Sequence, residues 1–219
     1  MINTAAEIGP QTVPWWFDWR GECVAIVGAG PSVKPADVAA LQNRIHVIAV
    51  NESYRLAPWA DAVYSCDLAW WTLHKGLADF AGLKLSHDAI ACRTYPALKR
   101  VLIEQVTGND ILIDRPTYVG AGGNSGFQAL NMAVQFGATG VALLGIDCTL
   151  DHGPHWHGRH PYHMNNPAPS NVKRWREAFD GVAASLQKLG VDVVNCSPIS
   201  ALTKYPKLTV AQALERWQL

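Results

Sequence analysis

Apolar residues fall into short, dense runs separated by polar turns. Residues 23–27, 45–50, 62–66, 141–146 and 191–194 are each too short for a helix and lack the alternation of a half-exposed strand. Such runs suit strands buried on both faces, as in parallel sheets. Between them the spacing changes to three and four. Residues 35–41 read as a helix with Pro35 in its first turn, and 68–82 as another carrying Trp70, Trp71, Leu77 and Phe80 on its apolar positions. Ser125 is placed to cap a helix over 126–136 that Gly137 closes. The strongest stripe is Val172, Trp175, Phe179, Val182, Leu186 and Leu189, with Ser170 as its cap and Gly190 as its stop. Residues 209–217 form a closing helix, while 89–93 and 111–113 read as further strands. No internal repeat or linker divides the chain.

Strands alternating with helices predict an α/β fold, a Rossmann-like, mostly parallel sheet with helices on both faces. The expected organisation is a single nucleotide-binding domain over 1–219, with a Trp-rich N-terminal arm at 1–22 and a His-rich lid loop at 148–169. The arm's Trp15, Trp16, Phe17 and Trp19 suit a plug for a groove on their own domain, or alternatively a stacking platform or oligomer contact.

Composition narrows the picture. The 219 residues carry 18 Lys+Arg against 18 Asp+Glu, so a general nucleic-acid coat is not indicated. A local track of Lys99, Arg100, Lys173 and Arg174 keeps a DNA acceptor open. No apolar stretch reaches about 18 residues, so no membrane span is expected, and the N-terminus lacks the pattern of a signal peptide. A cytoplasmic protein is the expectation. The 5 cysteines are scattered without a C-x-x-C pair, which argues for buried free thiols.

In open α/β sheets ligands bind beyond the carboxyl ends of the strands. That rule gathers the candidate chemistry on one rim. Gly28, Ala29, Gly30, Pro31 and Ser32 follow the first strand, where glycine backbone can approach a phosphate or simply form a tight turn. The loop lacks a sixth-position glycine and a following Gly-Lys-Ser/Thr, so it is neither a full dinucleotide fingerprint nor a Walker A loop. Asn51 ends the second strand and Asp67 the third; Asn124, Ser125 and Gly126 form a second Gly-rich loop; Asp147 follows the strand at 141–146. Five of the 8 histidines, His152, His155, His157, His160 and His163, lie in the polar segment after Asp147. Such a cluster suits a general base, a divalent metal, or a hydrogen-bonded polar lid.

The sequence Val24-Ala-Ile-Val-Gly-Ala-Gly-Pro-Ser-Val33, followed by residues 47–51 and 63–67, resembles the first half of the bacterial sialyltransferases of glycosyltransferase family 42. Residues 124–126, 144–147 and 196–202 resemble the second half, and the resemblance covers most of 23–214. The same order marks the wider DUF115 group, which includes archaeal pyrophosphokinases acting on a pterin and small tailed-phage proteins. The resemblance implies that Gly28, Gly30, Ser32, Asn51 and Ser125 hold a nucleotide. It also implies that a histidine before the long helix, His163 with His160 in reserve, deprotonates an acceptor hydroxyl without a required metal. Ala29 stands where that family usually has Asn, and Thr149 and His155 where it has supporting tyrosines. His155 is thereby a candidate replacement donor.

The leading expectation is therefore a transferase moving a sugar from a CMP- or UDP-type nucleotide donor to an acceptor hydroxyl. Its site would comprise His163, His160, His155 and Asp147 beside the nucleotide-binding residues, with a metal at His152, His155 and His157 as the alternative. Mg²⁺ or Zn²⁺ is compatible with the sequence. The competing expectations are an ATP- and Mg²⁺-dependent pyrophosphokinase using Asp67 and Asp147, and a non-catalytic binding or assembly protein. Exposed arm tryptophans would favour a homo-oligomer.

Overall fold

The computed structural model describes residues 13–104, 109–161 and 164–219. Its centre is β1 (Cys23–Val27), flanked by β2 (His46–Val50) and β8 (Gly140–Leu144). On one side the sheet continues through β3 (Ala62–Tyr64), β4 (Leu83–Ser86) and β5 (Leu98–Arg100); on the other it ends at β9 (Asp192–Asn195). The order is β5-β4-β3-β2-β1-β8-β9, seven strands, every pairing parallel. A separate parallel pair joins β6 (Leu102–Glu104) to β7 (Tyr118–Gly120). The expected Rossmann-like α/β architecture is present.

Alternation within the strands builds two cores. Val24, Ile26, Ile48 and Tyr64 face α4 (Ser125–Gln135) and α5 (Pro169–Lys188). Ala25, Val27, Val47 and Val63 face α1 (Pro35–Ala39), α2 (Leu68–Leu73) and α6 (Val210–Arg216). Burial on both faces is why these strands read as unbroken apolar runs. The N-terminal arm takes the plug role. Trp16 and Trp19 are buried, both packing edge-on against Phe136, and Trp19 stacks on His46 at 4.5 Å. They contribute nothing to an exposed oligomer surface.

Several local expectations are corrected. Residues 89–93 are not a strand but part of α3 (Ala89–Thr94), because the Asp88 carboxylate accepts from the Ile90 and Ala91 amides, each at 2.8 Å. Residues 111–113 form no strand, since side chains of α4 occupy the Leu112 backbone: Asn131 Oδ1 accepts from its N–H at 3.0 Å, and Asn131 and Gln135 donate to its carbonyl. The helix expected over 68–82 stops at Leu73 and gives way to a short 3-10 turn, where Gly76 has φ +71°. Asn124, not Ser125, caps α4, accepting from Phe127 N–H at 2.9 Å. Helix α5 starts at Pro169 with Ala168 as its N-cap, so Ser170 lies inside it.

Among the described residues no helix is long and apolar enough to cross a membrane. All five cysteines are free, as their scatter implied, but only Cys148 and Cys196 are buried, while Cys23, Cys66 and Cys92 are half-buried.

Candidate functional site

From β1 the chain passes to β2 on one side, and from β8 to β9 on the other. The strand order therefore reverses between β1 and β8, and their loops end at the carboxyl edge of the sheet, where α/β folds place ligands. A cavity of about 110 Å³ lies there. Gly28, Ala29 and Gly30 line it from the β1 loop, Asn51 from the β2 end, Asn124, Ser125 and Gly126 from the start of α4, Asp147 from the β8 end, and His155 from the His-rich segment. Trp175 and Phe179 on α5 form an apolar wall. Six stretches of the chain thus meet at one place.

The first Gly-rich loop is mostly occupied by the protein itself. Gly28 N–H donates to Leu144 O at 2.7 Å, Gly30 N–H to Gly145 O at 2.8 Å, and Ser32 N–H to Asp147 Oδ2 at 2.9 Å. The Ser32 hydroxyl donates to the other Asp147 oxygen. A Cβ on Gly30 would stand 2.5 Å from Asp147 Oδ2, and one on Gly28 would stand 2.6 Å from Gly145 O. These glycines are needed for the close approach of the β1 and β8 loops. Burial raises the Asp147 carboxyl above its ordinary value, opposed by the two Ser32 bonds. Pro31 and Ser32 lie off the cavity lining.

The second loop is also tied in, its Asn124 Nδ2–H donating to Gly122 O at 3.2 Å. Ser125, freed from capping, is buried, and its hydroxyl accepts from Cys66 N–H at 3.3 Å. Trp175 Nε1–H donates to Gly123 O at 2.7 Å and fixes α5 against this turn. Asn51 has φ +52° and Cys148 φ +50°, a left-handed conformation that asparagine tolerates better than most residues. Asn51 Oδ1 is buried with no hydrogen-bond partner among the described residues. Backbone strain at a crevice wall is a common mark of a functional position.

A second cavity of about 80 Å³ shares Asn51 and adds Asp67, Trp70, His160 and Met164. The His-rich segment runs between the two. Trp156 N–H donates to Ala29 O at 2.9 Å, pinning it to the first loop, and Asn166 accepts from His160 N–H at 2.9 Å. His155 and His157 stack with ring centroids 5.0 Å apart, and His160 stands 4.5 and 4.9 Å from them. Burial lowers all three imidazoles, His155 to about 4, with the neighbouring rings adding to it for His155 and His157. They are neutral at pH 7.

The grouping differs from the one the sequence suggested. His155, His157 and His160 each offer a ring nitrogen within 4.8 Å of the others. His152, expected in the metal alternative, is exposed and outside that group. His163, the first candidate for the base, lies outside the described residues. Glu52 was not among the candidates. Its buried Oε1 accepts from Trp70 Nε1–H at 3.1 Å and lies 2.7 Å from His74 Nε2, while Arg55 stands 3.5 Å from Oε2. Burial pushes this carboxyl up, but His74, with His157 and Trp70, brings it down to about 2. Only its place beside Asn51 hinted at a role; no spacing links it to His74.

No family model matches the chain, and neither a curated protein nor a solved structure does.

Proposed function

We propose that this protein is a transferase that binds a nucleotide donor in the cavity where the β1 and β8 loops, Asn51 and the start of α4 meet, and passes a group, most simply a sugar, to an acceptor hydroxyl. The observation that carries this reading is the convergence of Asn51, the Asn124–Gly126 turn, Asp147 and His155 at the point where strand order reverses. The resemblance to the sialyltransferase-like group points the same way.

Each part of the wall suits a part of the donor. Trp175 and Phe179 give an apolar face for a base. The start of α4 and Ser125 face the phosphate region, where the helix end favours negative charge. The first Gly-rich loop contributes shape more than donors, because most of its amides are already bonded. The acceptor lies in the adjoining cavity at Asp67 and His160. During transfer the acceptor hydroxyl loses its proton to a base held by the histidine cluster, and its oxygen bonds to the transferred carbon. The bond from that carbon to the nucleotide oxygen breaks, and the nucleotide leaves with the electron pair.

The pyrophosphokinase reading is less well served. Asp147 is committed to Ser32, and Asp67 lies in the other cavity, so the two acids do not form the oxygen-rich Mg²⁺ site that chemistry requires. Nucleotide pockets are typically about 300 Å³ or larger, so a donor must displace Pro154, His155 or Pro167 from the crevice wall.

Melting curves with CMP, CDP, UDP, GDP and ATP test the proposal. A ligand at 100 times its dissociation constant adds about 2.7 kcal/mol of stability. A cytidine or uridine nucleotide is expected to raise the melting temperature, and Asn51→Ala with Ser125→Ala to abolish the rise. A rise only with ATP and Mg²⁺ would favour pyrophosphoryl transfer; none at all would leave a non-catalytic binding protein.

A further inference from the structure

We propose that His155, His157 and His160 form a binding site for a borderline divalent cation, Zn²⁺ above all, with an open coordination position between the two cavities. Three independent features support it. The ligand atoms already lie within 4.8 Å of one another, whereas Zn–N bonds of about 2.0–2.1 Å need nitrogens roughly 3.3 Å apart. The rings therefore close on the ion by rotamer adjustments of under about 1 Å each, a shift open to half-buried side chains on an irregular segment.

The second feature is unmet polarity. His155 Nε2 and His157 Nε2 are buried with no hydrogen-bond partner among the described residues, and so is Asn51 Oδ1 nearby. Leaving such groups unpaired in a buried site is costly, and a metal bond removes that cost for an imidazole nitrogen. The third is electrostatic. The Glu52 carboxylate acts on all three rings, supplying negative charge close to where a cation would sit, and it is held by Trp70 and His74. The Arg55 guanidinium beside Glu52 opposes this only in part, because its side chain is 59% exposed and screened by solvent.

Ligand chemistry selects the ion. Neutral imidazoles suit zinc and its neighbours, whereas Mg²⁺ and Ca²⁺ require oxygen ligands. Three histidines with a vacant fourth position are a catalytic rather than a structural donor set. The ion's use rests on the transferase reading, although the site itself does not. With His155, His157 and His160 as ligands, a bound zinc would supply a water acidic enough to serve as the base in place of free imidazole.

The test is metal binding by the full, chelator-stripped chain, read without any nucleotide. One equivalent of Zn²⁺ per chain is expected at about 1 µM free zinc, with a rise in melting temperature. Co²⁺ in its place should give the intense visible bands of a four- or five-coordinate nitrogen site. The double variant His157→Gln/His160→Gln should bind at least about 100-fold more weakly, and His152→Gln should bind normally. Zinc that stays bound in the double variant, occupancy far below one per chain, or a weak octahedral Co²⁺ spectrum would each overturn the site. The Co²⁺ spectrum of the unmutated chain decides even if the variant fails to fold. Metal binding without nucleotide-induced stabilisation would remove the transferase reading and leave the metal site intact.

Discussion

Helix α4 and the segment carrying His155, His157 and His160 both place polar side chains in the interior, with opposite outcomes. On α4, Gln128, Asn131 and Gln135 stand one per turn on a helix that is buried along its whole length. Gln128 Nε2–H donates to Ala121 O at 2.8 Å, Asn131 bonds Leu112 and Gly120, and Gln135 donates to Leu112 O and Tyr118 O. The helix thereby serves as a hydrogen-bonding rail for chain that has no sheet partner of its own. In the histidine segment, ring nitrogens of similar burial face one another and find no such partners. The α4 amides are satisfied within the chain save for Gln135 Oε1, whereas His155 Nε2 and His157 Nε2 have no partner among the described residues.

The comparison can be broken by direct substitution. The largest effect is expected for Asn131→Leu, which leaves the Leu112 and Gly120 amides and the Leu112 carbonyl short of partners and should cost about 3 kcal/mol or more in denaturant titration. A loss below about 1 kcal/mol would mean that the rail is not structural.

An intermediate effect is expected from acid. In metal-free protein the His155 pKa falls from 6.5 unfolded to about 4 folded, because burial and the neighbouring rings disfavour its charge. The unfolded chain binds more protons between those values, so stability present above pH 6.5 is lost as pH falls toward 4. The loss should be on the order of 1–2 kcal/mol after allowance for partial exposure. His155→Gln should flatten the melting-temperature profile in that window. Glu52, depressed to about 2, loses its contribution lower, as pH falls from 4.5 through 2. The raised Asp147 acts with the opposite sign, gaining stability on acidification. A profile unchanged by His155→Gln would place the acid sensitivity elsewhere.

The smallest effect should come from His157→Phe in the metal-free chain. Removing an unpartnered ring nitrogen for an apolar ring is expected to change stability by less than about 1 kcal/mol in either direction. A large loss would show that His157 is structural after all, and the contrast with Asn131 would fail.

The sheet's central strands were legible because burial on both faces writes an unbroken apolar run into β1, β2 and β8. The β4–β5 edge and the separate β6–β7 pair were not, since these strands are only three or four residues long and β4, β5 and β6 carry charge, as in Leu98–Arg100. Residues 111–113 have the composition of a strand, yet their partners are side chains 19 to 23 positions away. Sequence alone put the strand-end candidates and Asn124–Gly126 on one rim, because each ends an apolar run or opens a helix, while the histidines lie in an aperiodic segment. It did not decide what each does there. Whether a glycine serves a phosphate or a neighbouring loop depends on Asp147 reaching Ser32 across 115 residues. Which histidines meet depends on how an aperiodic segment is pinned at Ala29 and Met164. Periodicity records which face a residue buries, because every residue on that face shares the same environment. The pairing of particular polar groups is a property of single long-range contacts, and only the folded chain brings those together.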